Sequence, residues 1–261
     1  MSAPGAVHPR FCSLEEDGGL RVLRLRRPPV NVLTIEMMKE MAGVVAAVGG
    51  DAGAAALLVT GEGKAFCAGV DVADHTADRV EEMLVTFHDL LTALSGLEIP
   101  VVAAVNGAAL GGGLELALAC DVILARAGAK LGQPEIRLGV FPPYAVAVLP
   151  ARIGMGAAMD LCLSGRTVTA EDALSLGLVQ QVHPREDFEA AAREYAADLA
   201  ALSPAVVRLA KRALRSTAPG VTREELRRME EIYLNELMKL EDAEEGLAAF
   251  MEKRPPVWKG A

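Results

Sequence analysis

The chain has 261 residues, 52% of them hydrophobic but only 4% aromatic, with 25 glycines, so it can bury a sizeable core packed from small side chains. A formal net charge of −9 argues against general nucleic-acid binding, which needs a broad basic face. Cys12, Cys67, Cys120 and Cys162 form no CxxC pair and read as reduced packing residues, while the start MSAPGAVHPR lacks a signal pattern and no run reaches transmembrane length, so a cytoplasmic protein without a membrane partner is expected.

After a loose start, apolar residues alternate with Arg21 and Arg24 from Leu20 to Leu25, as in a half-exposed strand that Pro28 and Pro29 stop. Thr34 can cap a helix running to about Val48, with Met37, Met41, Val44, Val45 and Val48 on one face. Ala54–Thr60 reads as a buried strand. It leads into a Gly-rich loop, Gly61–Asp71, anchored by Phe66 and freed by Gly69. An amphipathic helix spans Val80–Leu94, and VVAAVN (101–106) is the next strand. A short helix carrying Glu115 follows, then a strand at Asp121–Ala127 and an extended piece and turn at Lys130–Glu135. Strand, Gly-containing turn and helix thus recur three times. Beyond Pro142-Pro143 come short helices, a capped start at Thr169 and a last strand at Leu178–Val182. From Glu186 the chain reads as helical, with breaks at Ser203-Pro204 and Pro219-Gly220. The two-faced segment Thr222–Met251 could cover the domain or join subunits.

The chemistry concentrates in NGAALGGGLELALACD (106–121). Gly111, Gly112 and Gly113 let backbone N–H groups approach a bound atom, and a helix start leaves such groups unpaired. Gly112 can give one oxyanion donor, and the Phe66–Asp71 loop, most simply at Val70, can give another. Each donor is worth about 3 kcal/mol to a developing enolate. Glu115 sits in the first helical turn, where the N-terminus favours the carboxylate, and Glu135 follows Pro134 in a turn flanked by apolar residues. Two such acids can form a general acid/base pair. His75, in a polar loop, and His88, beside Asp89 on a helix, read as surface histidines. No HExxH or Cys/His cluster supports a metal site, and neither a P-loop, a GxGxxG fingerprint nor a GxSxG elbow is present.

AFCAGVD (65–71), PVVAAVNGAALGGGLELALACD (100–121) and KLGQPEIRLGV (130–140) resemble the enoyl-CoA hydratase/isomerase (crotonase) superfamily. LSGRTVTAEDALSLGLVQQV (163–182) and EEGLAAFMEKR (244–254) extend the resemblance over nearly the whole chain. It implies an α/β fold, a superhelix of repeated ββα units over residues 1–195 with a C-terminal helical trimerisation region over 196–261, in a homotrimer or homohexamer. It implies that the Val70 and Gly112 N–H groups bind the thioester oxygen of an acyl-CoA. Glu115 and Glu135 match the hydratases' two glutamates, which activate water at the β-carbon and manage the proton at the α-carbon. Ala68 and Val72 match positions along the CoA moiety, and Phe250 and Lys253 match a tail pair that contacts CoA, often on a neighbouring subunit. Coenzyme A enters as part of the substrate, with no separate cofactor. Where typical hydratases carry a glycine-rich segment, this chain has GVFPPYAVAVLPARIG (139–154), which looks more like the cyclic dienoyl-CoA hydratases. The expected activity is that of a hydro-lyase acting on an enoyl-CoA. Cyclic dienoyl-CoA hydration, enoyl-CoA isomerisation and non-catalytic CoA binding are the alternatives.

Overall fold

The computed structural model describes residues 9–217 and 221–260. The elements run β1 (Cys12–Asp17), β2 (Leu20–Leu25), α1 (Ile35–Gly50), β3 (Ala56–Gly61), β4 (Ala65–Cys67), α2 (Val80–Gly96), β5 (Val101–Val105), β6 (Ala108–Leu110), α3 (Gly112–Leu118), β7 (Val122–Arg126) and β8 (Lys130–Gly132). Next come α4 (Pro143–Ile153), α5 (Met155–Ser164), β9 (Thr167–Thr169), α6 (Ala170–Ser175), β10 (Gln181–His183), α7 (Phe188–Ala201), α8 (Pro204–Thr217), α9 (Arg223–Asn235) and α10 (Glu241–Glu252). Two short 3-10 helices, Val72–His75 and Pro134–Leu138, matter to the site.

Each repeated unit sends its first strand to one sheet and its second to another. The large sheet has the order β1-β2-β3-β5-β7-β10 and the small one β4-β6-β8-β9. All pairings are parallel except β1 with β2 and β8 with β9. The large sheet is covered on both faces, so its central strands are apolar throughout rather than alternating. Leu57, Val59, Val101, Ala103, Val105, Ile123 and Ala125 face the main core under the helices. Their neighbours Ala56, Leu58, Val102, Ala104 and Leu124 face α7, packed against Phe188, Ala192 and Ala196. Residue 195 falls inside α7.

Thr34 caps α1 as expected, its hydroxyl accepting from the Met37 N–H at 3.3 Å. Thr169 and Thr222 each form a capping box, with Asp172 and Glu225 respectively. Two expectations shift. The loose start contains β1, an edge strand whose charged outer residues hide its period, fastened by the Glu40 carboxylate on the Phe11 and Cys12 N–H groups at 2.7 and 2.9 Å. The last strand begins at Gln181 rather than Leu178, because Leu178 and Val179 instead bury themselves after α6. All four cysteines are buried thiols. The expected break at Pro219-Gly220 lies outside the described residues, and no helix among those described is long and apolar enough to cross a membrane.

Candidate active site

The oxyanion loop is built by pairing with a second segment. The Leu33 N–H donates to Gly69 O at 2.9 Å, the Asp71 N–H to Leu33 O at 2.8 Å, and the Ala68 N–H to Val30 O at 3.0 Å. Buried Asn31 adds amide bonds to the carbonyls of Ala65 and Phe66, at 3.0 and 3.1 Å. Among the described residues the Val70 N–H has no protein acceptor. Neither has the Gly112 N–H, which opens α3 and lies beyond the reach of its own helix's carbonyls. The two residues are neighbours: a methyl group on Gly112 would meet Val70 Cγ2 at 2.6 Å and the Phe87 ring at 3.3 Å. Two unpaired donors on neighbouring residues, one of them a glycine, are what an oxyanion hole requires.

Gly111 joins this site to the acids. It takes φ +54° and ψ −130°, a conformation reserved for glycine, and a β-carbon there would collide with the Glu135 carboxylate. Glu115 is 3% exposed, one turn along α3, and Oε1 accepts the Ala145 N–H at 2.8 Å. That donor belongs to the first turn of α4, whose N-cap Pro142 has no capping side chain. Pro142-Pro143 therefore opens a helix whose N-terminus is capped by a catalytic-type carboxylate from another element. Buried Tyr144, its phenol pushed up to about 12 by burial, comes with it.

The electrostatics revise one expectation. The start of α3 was expected to favour ionised Glu115, but burial outweighs the helix terminus and raises the carboxyl above its ordinary range. The Ala145 N–H and the charge of His88 pull it partly back. Glu135 is raised further, by burial and then by the charge of Glu115. Burial and mutual repulsion disfavour ionising both carboxyls together, and the Ala145 N–H favours the carboxylate at Glu115. Gln133 is fully buried beside them. With its amide nitrogen turned to Glu135, it donates to Oε2 at 3.1 Å and Oε1 at 3.2 Å, and to Gly111 O at 3.3 Å.

The fold thus brings together Val70, Gly112, Glu115 and Glu135. Ala68 and Val72 flank the oxyanion loop and are half-buried, whereas Phe250 is 52% exposed and Lys253, just past α10, is exposed. His88 is no surface residue: it is fully buried, with Nδ1 2.6 Å from Glu230 Oε1. His75 is half-buried at the end of a 3-10 helix, Nδ1 3.0 Å from Asp71 O, and burial lowers its pKa. The polar character of Gln133 next to Pro134-Glu135 was a signal that could have found it. Nothing in the local pattern marks Ala145, which acts through its backbone.

The sequence profile described as enoyl-CoA hydratase/isomerase matches residues 15–261. The chain belongs to the enoyl-CoA hydratase/isomerase family. Among its relatives, a cyclohexa-1,5-dienecarbonyl-CoA hydratase from Thauera aromatica is 39% identical, covering 94% of this chain and 95% of the relative. A probable enoyl-CoA hydratase from Mycobacterium bovis is 38% identical, over 93% and 95%. Among solved structures, an enoyl-CoA hydratase from Bacillus anthracis superposes with a TM-score of 0.78 at 33% identity, covering 97% of this chain and all of that one. An enoyl-CoA hydratase from Mycobacterium avium subsp. paratuberculosis reaches a TM-score of 0.85 at 27% identity, over 95% and 100%. The ββα superhelix expected from the family motifs is the fold observed.

Proposed function

We propose that the chain is an acyl-CoA hydratase, a hydro-lyase that adds water across the 2,3-double bond of an enoyl thioester. The observation that carries this reading is buried Glu115 and half-buried Glu135 beside the two unpaired N–H groups of Val70 and Gly112. The thioester oxygen accepts from those two donors, which polarises the double bond and stabilises the enolate. Glu115, as carboxylate, takes a proton from water as the hydroxyl adds to the β-carbon. Glu135 gives its proton to the α-carbon, and transfer between the two carboxyls restores the starting state. Ala68 and Val72 line the thioester's CoA arm. Phe250 and Lys253, exposed on this chain, suit contact with CoA, including that of a neighbouring subunit. Coenzyme A is part of the substrate, and the mechanism requires no further cofactor.

A homotrimer or homohexamer fits α8, where Val206, Leu209 and Leu214 are all more than half exposed. A second reading of the acyl group, a cyclic dienoyl-CoA, is favoured by one specific observation: α4, opened by Pro142-Pro143, replaces a glycine-rich segment directly against Glu115.

Incubation with crotonyl-CoA, a 3-enoyl-CoA and a cyclohexadienecarbonyl-CoA tests these readings. Formation of a 3-hydroxyacyl-CoA supports linear hydration, and turnover of the ring substrate alone assigns the cyclic specificity. Double-bond migration without hydration would make the protein an isomerase. Tight thioester binding with no turnover of any of the three would make it a non-catalytic CoA-binding protein.

A further inference from the structure

Glu115 stands where two helices begin. It lies in the first turn of α3, and its Oε1 accepts the Ala145 N–H at 2.8 Å in the first turn of α4. Pro143 opens α4 without an N–H to give, and the Val146 N–H already donates to Pro142 O at 3.0 Å. Glu115 thus takes one of the only two N–H groups that this turn leaves over. The C-terminal ends of the same two helices meet at Arg152. Its half-buried side chain leaves the last turn of α4, and Nη2 donates to the carbonyl of Leu118, the last residue of α3, at 3.0 Å, and to Cys120 O at 2.5 Å. Carbonyls at a helix end lack an intrahelical partner and carry the negative end of its dipole, so a guanidinium satisfies both needs. Among the described residues Arg152 has no other hydrogen-bond partner. The bonds between α3 and α4 therefore form a pair, with a carboxylate at the N-terminal ends and a cation at the C-terminal ends.

We propose that Arg152 is a positioning residue: by tying the C-terminal end of α3 to α4 it completes a two-point clamp that holds Glu115 in its working place. This rests on the reading that Glu115 and Glu135 carry the hydration. The helix being clamped is only seven residues long, and helices that short have little stability of their own. All seven of its residues are buried, so packing keeps α3 in the core. Apolar burial is non-directional, whereas hydrogen bonds fix distance and angle, so the bonds at the two ends decide how far the helix can slide or turn there. Leu118 lies three residues after Glu115, within one turn, and a shift at the carbonyl end is carried to the carboxylate. On the other side, α4 is anchored in the core through Tyr144, Ala145 and Leu149. With the Ala145 bond alone α3 can pivot about that contact; the Arg152 bonds remove the freedom.

Steady-state kinetics on the thioester that the protein hydrates, crotonyl-CoA or the cyclohexadienecarbonyl-CoA, test the clamp well below the Tm of each variant. Arg152→Gln removes the charge and shortens the reach to α3. It is expected to lower kcat about ten- to a hundredfold with KM changed by less than about twofold. Arg152→Lys keeps a cation on a shorter stem and should recover part of that loss, leaving about three- to tenfold. In Glu115→Gln, which has already lost the group being positioned, adding Arg152→Gln should cost less than about twofold more, because residues that act as a unit are not additive. An arginine with a merely structural role would lower Tm and leave kcat unchanged, or would cost the double variant its full factor again. Either result overturns the proposal. If Arg152→Gln does not fold, Arg152→Lys decides: the stated loss in kcat supports the clamp, and a wild-type kcat overturns it. Loss of activity in Glu115→Gln without loss in Arg152→Gln overturns the clamp alone, whereas full activity of Glu115→Gln overturns the assignment of the site and the clamp with it.

Discussion

Gly111→Ala puts the geometry of the site under direct strain. The residue sits at φ +54° and ψ −130°, where an L side chain costs about 1–3 kcal/mol. The new methyl group would also fall on Glu135 Oε1 and lie 3.2 Å from Cδ. Overpacking of this kind costs about 1–3 kcal/mol. Part of that second cost is relieved if the Glu135 side chain swings away, and that movement is the functional damage: a displacement near 1 Å of a catalytic group costs roughly a hundredfold in rate. We expect Gly111→Ala to lose about 2–5 kcal/mol of stability, a fall in Tm of roughly 5–15 °C, and about a hundredfold in kcat. Differential scanning calorimetry and a crotonyl-CoA hydration assay read the two effects. Gly43→Ala is the control, since Gly43 lies exposed in the middle of α1 with open space around its would-be methyl group. It should gain up to about 1 kcal/mol without altering kcat. A Gly111→Ala protein with wild-type activity and stability would refute the cradle drawn between Gly111 and Glu135.

Two further expectations concern charge. The Glu135 carboxyl is raised by burial and by Glu115, so between its unfolded and folded pKa the native state binds the extra proton and stability falls as pH rises. Glu135→Gln lacks that loss, so its Tm should exceed that of the wild type at neutral pH, with the gap closing as pH falls towards the ordinary carboxyl range. A gap independent of pH would contradict the direction assigned to Glu135. Asp121 accepts from the Val101 N–H at 2.8 Å and bridges to Lys211 at 2.5 Å and Arg215 at 3.0 Å, tying α8 to the large sheet. Asp121→Ala should cost about 2–3 kcal/mol in urea unfolding while leaving KM unchanged.

The sequence exposes this fold where one residue has one job. The run VVAAV reads as a strand and GGGLE as a helix start with unpaired N–H groups, so β5 and α3, with Gly112 and Glu115 in its first turn, are legible from the residues themselves. Val70 is legible as a loop position but not as a donor, because its freedom depends on Leu33 and Val30 occupying the carbonyls and N–H groups on either side of it. The electrostatic surroundings of Glu115 are only half legible for a similar reason. The local helix start is visible in sequence, whereas the burial that outweighs it comes from the surrounding core. The prolines after Glu135 point to an altered segment, but only the folded chain turns them into an α4 N-terminus aimed at Glu115. His88 beside Asp89 looks like a solvated pair, and its true partner, Glu230, lies 142 positions away.

The central claim is that Glu115 and Glu135 together carry the hydration. Steady-state kinetics of Glu115→Gln and Glu135→Gln on the acyl-CoA substrate test it most directly, each variant nearly preserving side-chain shape while removing the titrating group. The account predicts that each lowers kcat by about 10²–10⁴-fold with little change in KM. A loss of less than about tenfold in both would contradict it.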